Sequence, residues 1–290
     1  MLNGTFRIGG DLPVHRLGFG SGQLAGPGYW AARRPTEQAA AILRRAVERG
    51  VTLIDTADNY GPDVVEEMIA CGLHPYPASL VIATKGGVVR TGPDAWHHAG
   101  RPEQLRAQCE ASLRRLRIDT IDLYQLHRID PDVPLAEQMG ALSDLQRAGK
   151  IRHIGVDTVT ADELERCLAE AVIASVQNRY NLLDRDSENV LTICETRDIA
   201  FLPWFPLGKG LLVTGGDGSE LPAIAEVADR HGATTSQIAL AWLLHRSPVI
   251  LPTPGTASLT HLDENLAAAG IALNAADLSR LNRLAAPATP

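Results

Sequence analysis

Few residues in this chain are aromatic: four tryptophans, four phenylalanines and five tyrosines among 290. Any cluster of them is therefore conspicuous. Positive charge is not in excess either. The formal net charge is −7, which argues against a nucleic-acid-binding surface, since that needs a clustered basic field. No apolar run approaches the roughly 18 residues of a membrane-spanning helix. The opening stretch MLNGTFRIGG has no charged region followed by a long apolar one, so neither a membrane span nor a secretion signal is expected. Cysteine is sparse and scattered: Cys71, Cys109, Cys167 and Cys194 form no CxxC or other metal-type spacing. Free thiols, no bound metal and a reducing cytoplasm follow from that pattern. A dinucleotide-binding G-x-G-x-x-G turn is missing as well. GFGSG at 18–22 does not satisfy it, and no Walker-type loop occurs, which counts against an open doubly wound sheet.

What the chain does have is a regular alternation of short β-branched runs and amphipathic stretches. Candidate strands cover 16–20, 51–55, 80–84, 121–127, 151–157, 173–178, 199–204 and 249–252. Helix starts are legible between them. Pro35, Pro62, Pro102 and Pro134 suit first-turn positions, where a missing N–H costs nothing. Thr160 with Glu163, and Thr234 with Gln237, have the spacing of capping boxes. In 37–49, Ala40, Leu43 and Val47 fall on one helical face while Arg44, Arg45 and Glu48 fall largely off it. Eight strand–helix units with no linker predict one α/β domain over residues 1–290, a single (β/α)8 TIM barrel. A hairpin of 5–8 with 14–17 is expected to close the barrel bottom. A last short helix is expected over 274–284, with no long C-terminal loop to cover the mouth.

Polar residues stand where strands leave the core. Asp55 closes VTLIDT, Tyr60 follows in the turn DNYGP, Lys85 closes LVIATK and His127 closes IDLYQLH. In a parallel barrel such strand ends share one face, and that face carries chemistry. An acid, a phenol, an amine and an imidazole suit proton delivery to a carbonyl oxygen. The phenol of Tyr60 is the donor, a nearby ammonium from Lys85 eases proton release, Asp55 aims the lysine, and His127 orients the carbonyl or relays the proton. Singly, each residue has a duller reading as a cap, a packed aromatic, a solvated amine or a core histidine. Their joint placement on consecutive strand ends favours the functional one.

At these residues the chain resembles the aldo-keto reductase family. The matching stretches are RLGFG at 16–20, IDTADNYGP at 54–62, ATKGG at 83–87, IDLYQLHR at 121–128, IRHIGV at 151–156, VQNRYNLLDR at 176–185, PWFPLGKGLL at 203–212 and PTPGTASLTHLDEN at 252–265. Finer features (LAGPG at 24–28, HPYP at 74–77 and SPVILPTPGT at 247–256) are most similar to a bacterial subgroup that includes pyridoxal reductases. The resemblance implies a barrel that binds NADPH/NADP+ without a Rossmann fold and interconverts aldehydes or ketones with alcohols, with Asp55, Tyr60, Lys85 and His127 as its catalytic four.

The same resemblance implies a cofactor site. Asp157, Thr158 and Gln177, with Asn178 beside it, would meet the nicotinamide, and Trp204 would stack where relatives have a tyrosine. Phe205, Pro206, Leu207, Gly208, Lys209 and Gly210 would wrap the pyrophosphate. Gly255, Thr256, His261, Glu264 and Asn265 would serve the adenine side from the start of a helix. Two departures thin the expected 2′-phosphate clamp: relatives often have lysine at Gly255 and arginine at His261. A third places Asp157-Thr158 where relatives have serine and asparagine. Loops at 25–30 and 93–101, with Trp30, Trp96, His97 and His98, are expected to line the substrate side, with Tyr180 as a further candidate. Rival readings are a dedicated biosynthetic ketoreductase or alcohol dehydrogenase, a nucleotide-binding regulatory barrel without turnover, and Schiff-base chemistry at Lys85. The substrate is a small molecule in every enzymatic reading, and the oligomeric state is not legible.

Overall fold

The computed structural model describes residues 4–30, 36–213 and 221–284. Seven parallel strands form one curled sheet: β3 (Phe19–Gly20), β4 (Leu53–Asp55), β5 (Val81–Gly86), β8 (Ile121–Leu126), β9 (Ile151–Asp157), β10 (Ile173–Arg179) and β11 (Ala200–Trp204), each beside the next. Residues 249–252 close the ring without forming a continuous ladder. Phe201 N donates to Val249 O at 2.8 Å and Leu251 N to Phe201 O at 2.8 Å, while Gly18 N donates to Pro252 O at 2.9 Å on the other side. The eighth strand of the sequence reading is therefore a bridging segment, and the first is shorter than 16–20. Arg16 spends its side chain on the seam instead, donating to the carbonyls of Leu244, Ser247 and Ile250.

Helices cover the outside in the order expected of a (β/α)8 barrel. They are α1 (Thr36–Glu48), α2 (Val64–Leu73), α3 (Pro102–Leu116), α4 (Leu135–Arg147), α5 (Ala161–Glu170), α6 (Glu188–Arg197), α8 (Thr235–Arg246) and α9 (Leu259–Ala267). Two further helices, α7 (Pro222–His231) and α10 (Ala275–Asn282), pack on each other. Both expected capping boxes form, and Asn274 caps α10 with a third. Of the four prolines only Pro102 sits at a first helical position among the described residues; Pro134 is one residue early, Asp63 follows Pro62 as the cap of α2, and Pro35 lies outside them. The helical ring closes where α9 meets α1, with Asp263 accepting from Arg45 at 2.9 Å and Arg49 at 3.0 Å.

The N-terminal hairpin pairs β1 (Thr5–Ile8) with β2 (Leu12–His15), two residues earlier than the sequence reading placed its second strand. Gly9 and Gly10, at φ 61° and 84°, make the tight turn. Asp11 in that turn meets Arg152 and His153, and His15 N donates to Thr52 Oγ1 at 2.7 Å. Those residues stand at the N-terminal ends of β9 and β4, so the hairpin caps the bottom and leaves the opposite face open. A second hairpin, β6 (Val88–Gly92) with β7 (Ala95–His98), rises after β5 on that open face. Three cysteines are buried free thiols and Cys71 is exposed. Among the described residues, no helix is long and apolar enough to cross a membrane, and no cluster could hold a metal ion.

Candidate active site

Side chains alternate in and out along each strand, so residues two apart share a face. Asp55, Lys85, Gln125 and Gln177 all point into the barrel, and all are buried. Lys85 Nζ donates to Asp55 Oδ1 at 2.8 Å, Asp55 Oδ2 at 2.9 Å and Thr56 O at 2.8 Å. Gln125 Nε2 reaches Asp55 Oδ1 at 3.3 Å and Gln177 Nε2 reaches Oδ2 at 3.2 Å. The carboxylate thus accepts from an ammonium and two amides, which is the satisfaction a buried charge pair needs. Gly155 makes room for this floor: a Cβ there would come within 2.2 Å of Ser175 Oγ and 2.8 Å of Gln125 Cγ.

Above the floor lie the rings of Tyr60, Tyr29 and His127. Lys85 Nζ is 5.5 Å from the centroid of the Tyr60 ring, Tyr29 stacks on Tyr60 at 5.5 Å, and His127 meets Tyr60 edge-on at 6.3 Å. The ammonium spends its three bonds on Asp55 and Thr56 and makes none to the Tyr60 phenol. Burial, then the negative charge of Asp55, hold the Tyr60 phenol well above its usual range; Arg128 opposes them. Burial, then the cations Lys85, Arg128 and Arg90, push His127 well below the usual histidine range. Both shifts favour the neutral forms of these groups.

One cavity of about 930 Å³ joins this centre to the rest of the mouth. Asp55, Tyr60, His127, Arg128, Asp157 and Gln177 line its depth, and Tyr29, Asp94, Trp96, His97 and His98 line one limb. The other limb is walled by Trp204, Phe205, Pro206, Leu207, Lys209, Gly210, Gly20 and Gly255. Positive φ at Phe205, Gly208, Lys209 and Gly210 curls that segment into the kind of backbone concavity that receives anions. Gly255 lies against Gly20, whose carbonyl oxygen a Cβ at 255 would approach to 2.7 Å.

Several expected residues sit elsewhere. Helix α9 begins at Leu259 with Ser258 as its cap, later than the sequence reading, and Thr256, His261, Glu264 and Asn265 are outside the cavity wall. Thr158 is exposed, at φ 53°, and Gly208 and Asn178 are buried and off the cavity wall. Tyr180 belongs to the core. It stacks on Trp242 and donates to Glu188 at 2.6 Å, so it lines nothing. Trp30 packs on Arg90, not on the cavity. Arg90 was not singled out in the sequence because it reads there as a loop residue. Its guanidinium lies 4.1 Å from the Trp96 ring centroid and donates to the carbonyls of Gly28, Tyr29 and Pro93, fastening the second hairpin to the 27–29 turn.

Asp157 ends β9 and is buried. It faces the cavity, yet its Oδ1 accepts from Arg128 at 2.6 Å and from Thr158 Oγ1 at 2.6 Å. Burial pushes its carboxyl above the ordinary value, opposed first by Arg128. Thr158 adopts a left-handed backbone that a β-branched residue rarely takes, held there by Thr158 N donating to Gln177 O and by Trp204 Nε1 donating to its hydroxyl.

The aldo/keto reductase family model matches residues 16–286, and the chain belongs to that family of oxidoreductases. An uncharacterised oxidoreductase of Schizosaccharomyces pombe is 45% identical over 279 residues, spanning 96% of this chain and 89% of its own. Pyridoxine 4-dehydrogenase of Escherichia coli is 37% identical over 288 residues, spanning 97% and 98%. An aldo/keto reductase from Klebsiella pneumoniae, solved with NADP and acetate, matches with a TM-score of 0.80 at 29% identity, over 97% of this chain and 95% of that one.

Proposed function

We propose that this protein, as one catalytic domain over residues 1–290, interconverts an aldehyde or ketone with its alcohol using NADPH/NADP+, with Tyr60 as the group that gives and takes the proton. The observation that carries the reading is the convergence of Tyr60, His127 and the Lys85–Asp55 pair at the depth of a cavity whose second limb suits a dinucleotide. That limb fits the cofactor because it offers positive-φ backbone at 205 and 208–210, the cation Lys209, and the indole of Trp204 as a flat wall. Bound NADPH supplies the hydride. The chain supplies the rest: neutral Tyr60 donates to the developing alkoxide, neutral His127 shares that oxygen, and Asp55 with Lys85 fixes the floor beneath them.

A phenol held high is a proton donor throughout the physiological range, so reduction is favoured near neutrality. Alcohol oxidation needs the phenolate and should quicken only as pH rises. Schiff-base chemistry is disfavoured, since Lys85 has no place on the cavity wall and its donors are all engaged. The intact catalytic four weigh against a barrel without turnover. The similarity to pyridoxine 4-dehydrogenase favours a second, narrower reading, that the carbonyl belongs to pyridoxal or a comparable heteroaromatic aldehyde. Tyr29, Trp96 and His98 offer the rings to receive it. A reducing cytoplasm suits the four free cysteines.

The test is NADPH consumption over pyridoxal, other aldehydes and ketones, repeated with Tyr60→Phe. Loss of about 10²–10⁴ in kcat is expected, with cofactor affinity kept. A variant retaining most of its kcat would remove Tyr60 from the mechanism.

A further inference from the structure

Asn59 occupies the turn between β4 and α2, directly before Tyr60, and is 3% exposed. Its Nδ2 lies 3.2 Å from the carbonyl oxygen of Val88 and 3.2 Å from Nδ1 of His127. The contact with Val88 fixes the amide. Turned over, it would set oxygen against oxygen, so the NH₂ group faces both partners even though Oδ1 has no protein partner. A side chain that donates to Nδ1 requires a lone pair there. In a neutral imidazole the proton then sits on Nε2, where it is available to the cavity. The ring is held neutral by what surrounds it. Burial first, then Lys85 from β5, Arg128 just past β8 and Arg90 from β6, all oppose a further positive charge. The carboxylates nearby, Asp55 and Asp157, are engaged by Lys85 and Arg128. Tyr60 meets the ring edge-on, and His98 shares the cavity. Main chain and ring are both anchored, since His127 N donates to Gly86 O at 2.8 Å.

We propose that Asn59 is a positioning residue that selects the Nε2–H tautomer of His127, and so decides which ring nitrogen offers a proton to the substrate oxygen. The inference deepens the catalytic reading above and rests on it for its consequence, although the tautomer itself can be read without turnover. Val88 opens the hairpin that carries Trp96, whose ring lies 6.1 Å from that of His127. The same amide therefore ties the hairpin to the catalytic ring.

Asn59→Asp tests this, because a carboxylate can accept from Nδ1–H but cannot donate to a lone pair. In the full-length protein labelled with ¹⁵N-histidine, with and without NADP+, the wild type should show His127 as neutral Nε2–H at and below pH 6.5. Asn59→Asp should move the ring to Nδ1–H, raise its titration, and add an ionisation to the acid side of the kcat/KM profile. It should also lower kcat on the order of 10²-fold or more, with NADP+ affinity unchanged. Should Asn59→Asp fold poorly, Asn59→Leu removes the donor without adding charge and should give a mixture of tautomers. His127 remaining pure Nε2–H, with a wild-type pH profile in whichever variant folds, would overturn the proposal. A changed tautomer with undiminished carbonyl reduction would leave the Asn59 assignment standing and remove His127 from the catalytic reading instead.

Discussion

Lys85 Nζ and Asp55 Oδ1 lie 2.8 Å apart, with side-chain exposures of 1% and 6%. Such a pair is held by mutual need, because each partner has lost its water and depends on the other. Lys85→Met leaves a buried carboxylate with only Gln125 and Gln177 as donors. The expected loss is about 3–5 kcal/mol of folding stability, the cost of breaking a buried pair by one member. Pairing it with Asp55→Asn removes the stranded charge and should restore most of that stability while carbonyl reduction stays lost. Urea denaturation of both variants decides it. A Lys85→Met protein as stable as wild type would mean the pair contributes nothing to the fold.

The proposed catalytic four stand out in the sequence because polar residues at the ends of apolar strands have few structural reasons to be there. Asp55, Lys85 and His127 are of that kind, and each lies at the top of the barrel. Gln125 was passed over because an uncharged amide inside IDLYQLH looks like any solvated strand residue. Only the inward alternation with His127 marks it, and that becomes decisive once the neighbouring Gln177 and Asp55 are seen in contact. Arg90 and the second hairpin were hidden by TGPDAW, which reads as a loop. Tyr180 failed in the opposite direction, since packing against Trp242 decided its place and strand-end position did not. The first and eighth strands were drawn too long because apolar composition does not reveal that a barrel seam is held by isolated bonds and by Arg16.

The Asp157–Arg128 pair changes what Asp157 can do to a nicotinamide. Alone, a carboxylate beside the ring would favour the oxidised, positively charged form by Coulomb attraction. Here Arg128 sits 2.6 Å away and compensates it. Asp157→Ser should then leave Arg128 as a net cation and weaken NADP+ binding relative to NADPH. Arg128→Met should shift the ratio the other way. Each shift is expected on the order of tenfold, and the double variant should return near the wild-type ratio. The dissociation constants of both cofactor forms across the four proteins give the answer; parallel changes in the two forms would show that the pair does not face the nicotinamide.

Cofactor preference offers two substitutions that look alike in sequence and differ in structure. Both lysine at 255 and arginine at 261 would complete the cationic clamp implied by the family resemblance. At 255 the backbone forbids it, because a Cβ would stand 2.7 Å from Gly20 O, and Gly20 in turn has Thr253 O 2.5 Å from where its own Cβ would be. Neither neighbour is a side chain that can swing aside. Gly255→Lys should therefore cost about 1–3 kcal/mol in overpacking and bring no gain in NADPH selectivity. His261 is exposed in the first turn of α9, where its backbone N–H donates to Ser258 Oγ at 3.4 Å. His261→Arg should fold normally and add a forked, permanently charged donor. On the order of a tenfold gain in the NADPH-to-NADH ratio of kcat/KM is expected, as for a hydrogen bond to a charged group. An unchanged ratio in His261→Arg, or a stable Gly255→Lys protein with sharpened preference, would move the 2′-phosphate away from α9 and towards the Gly20–Gly255 seam.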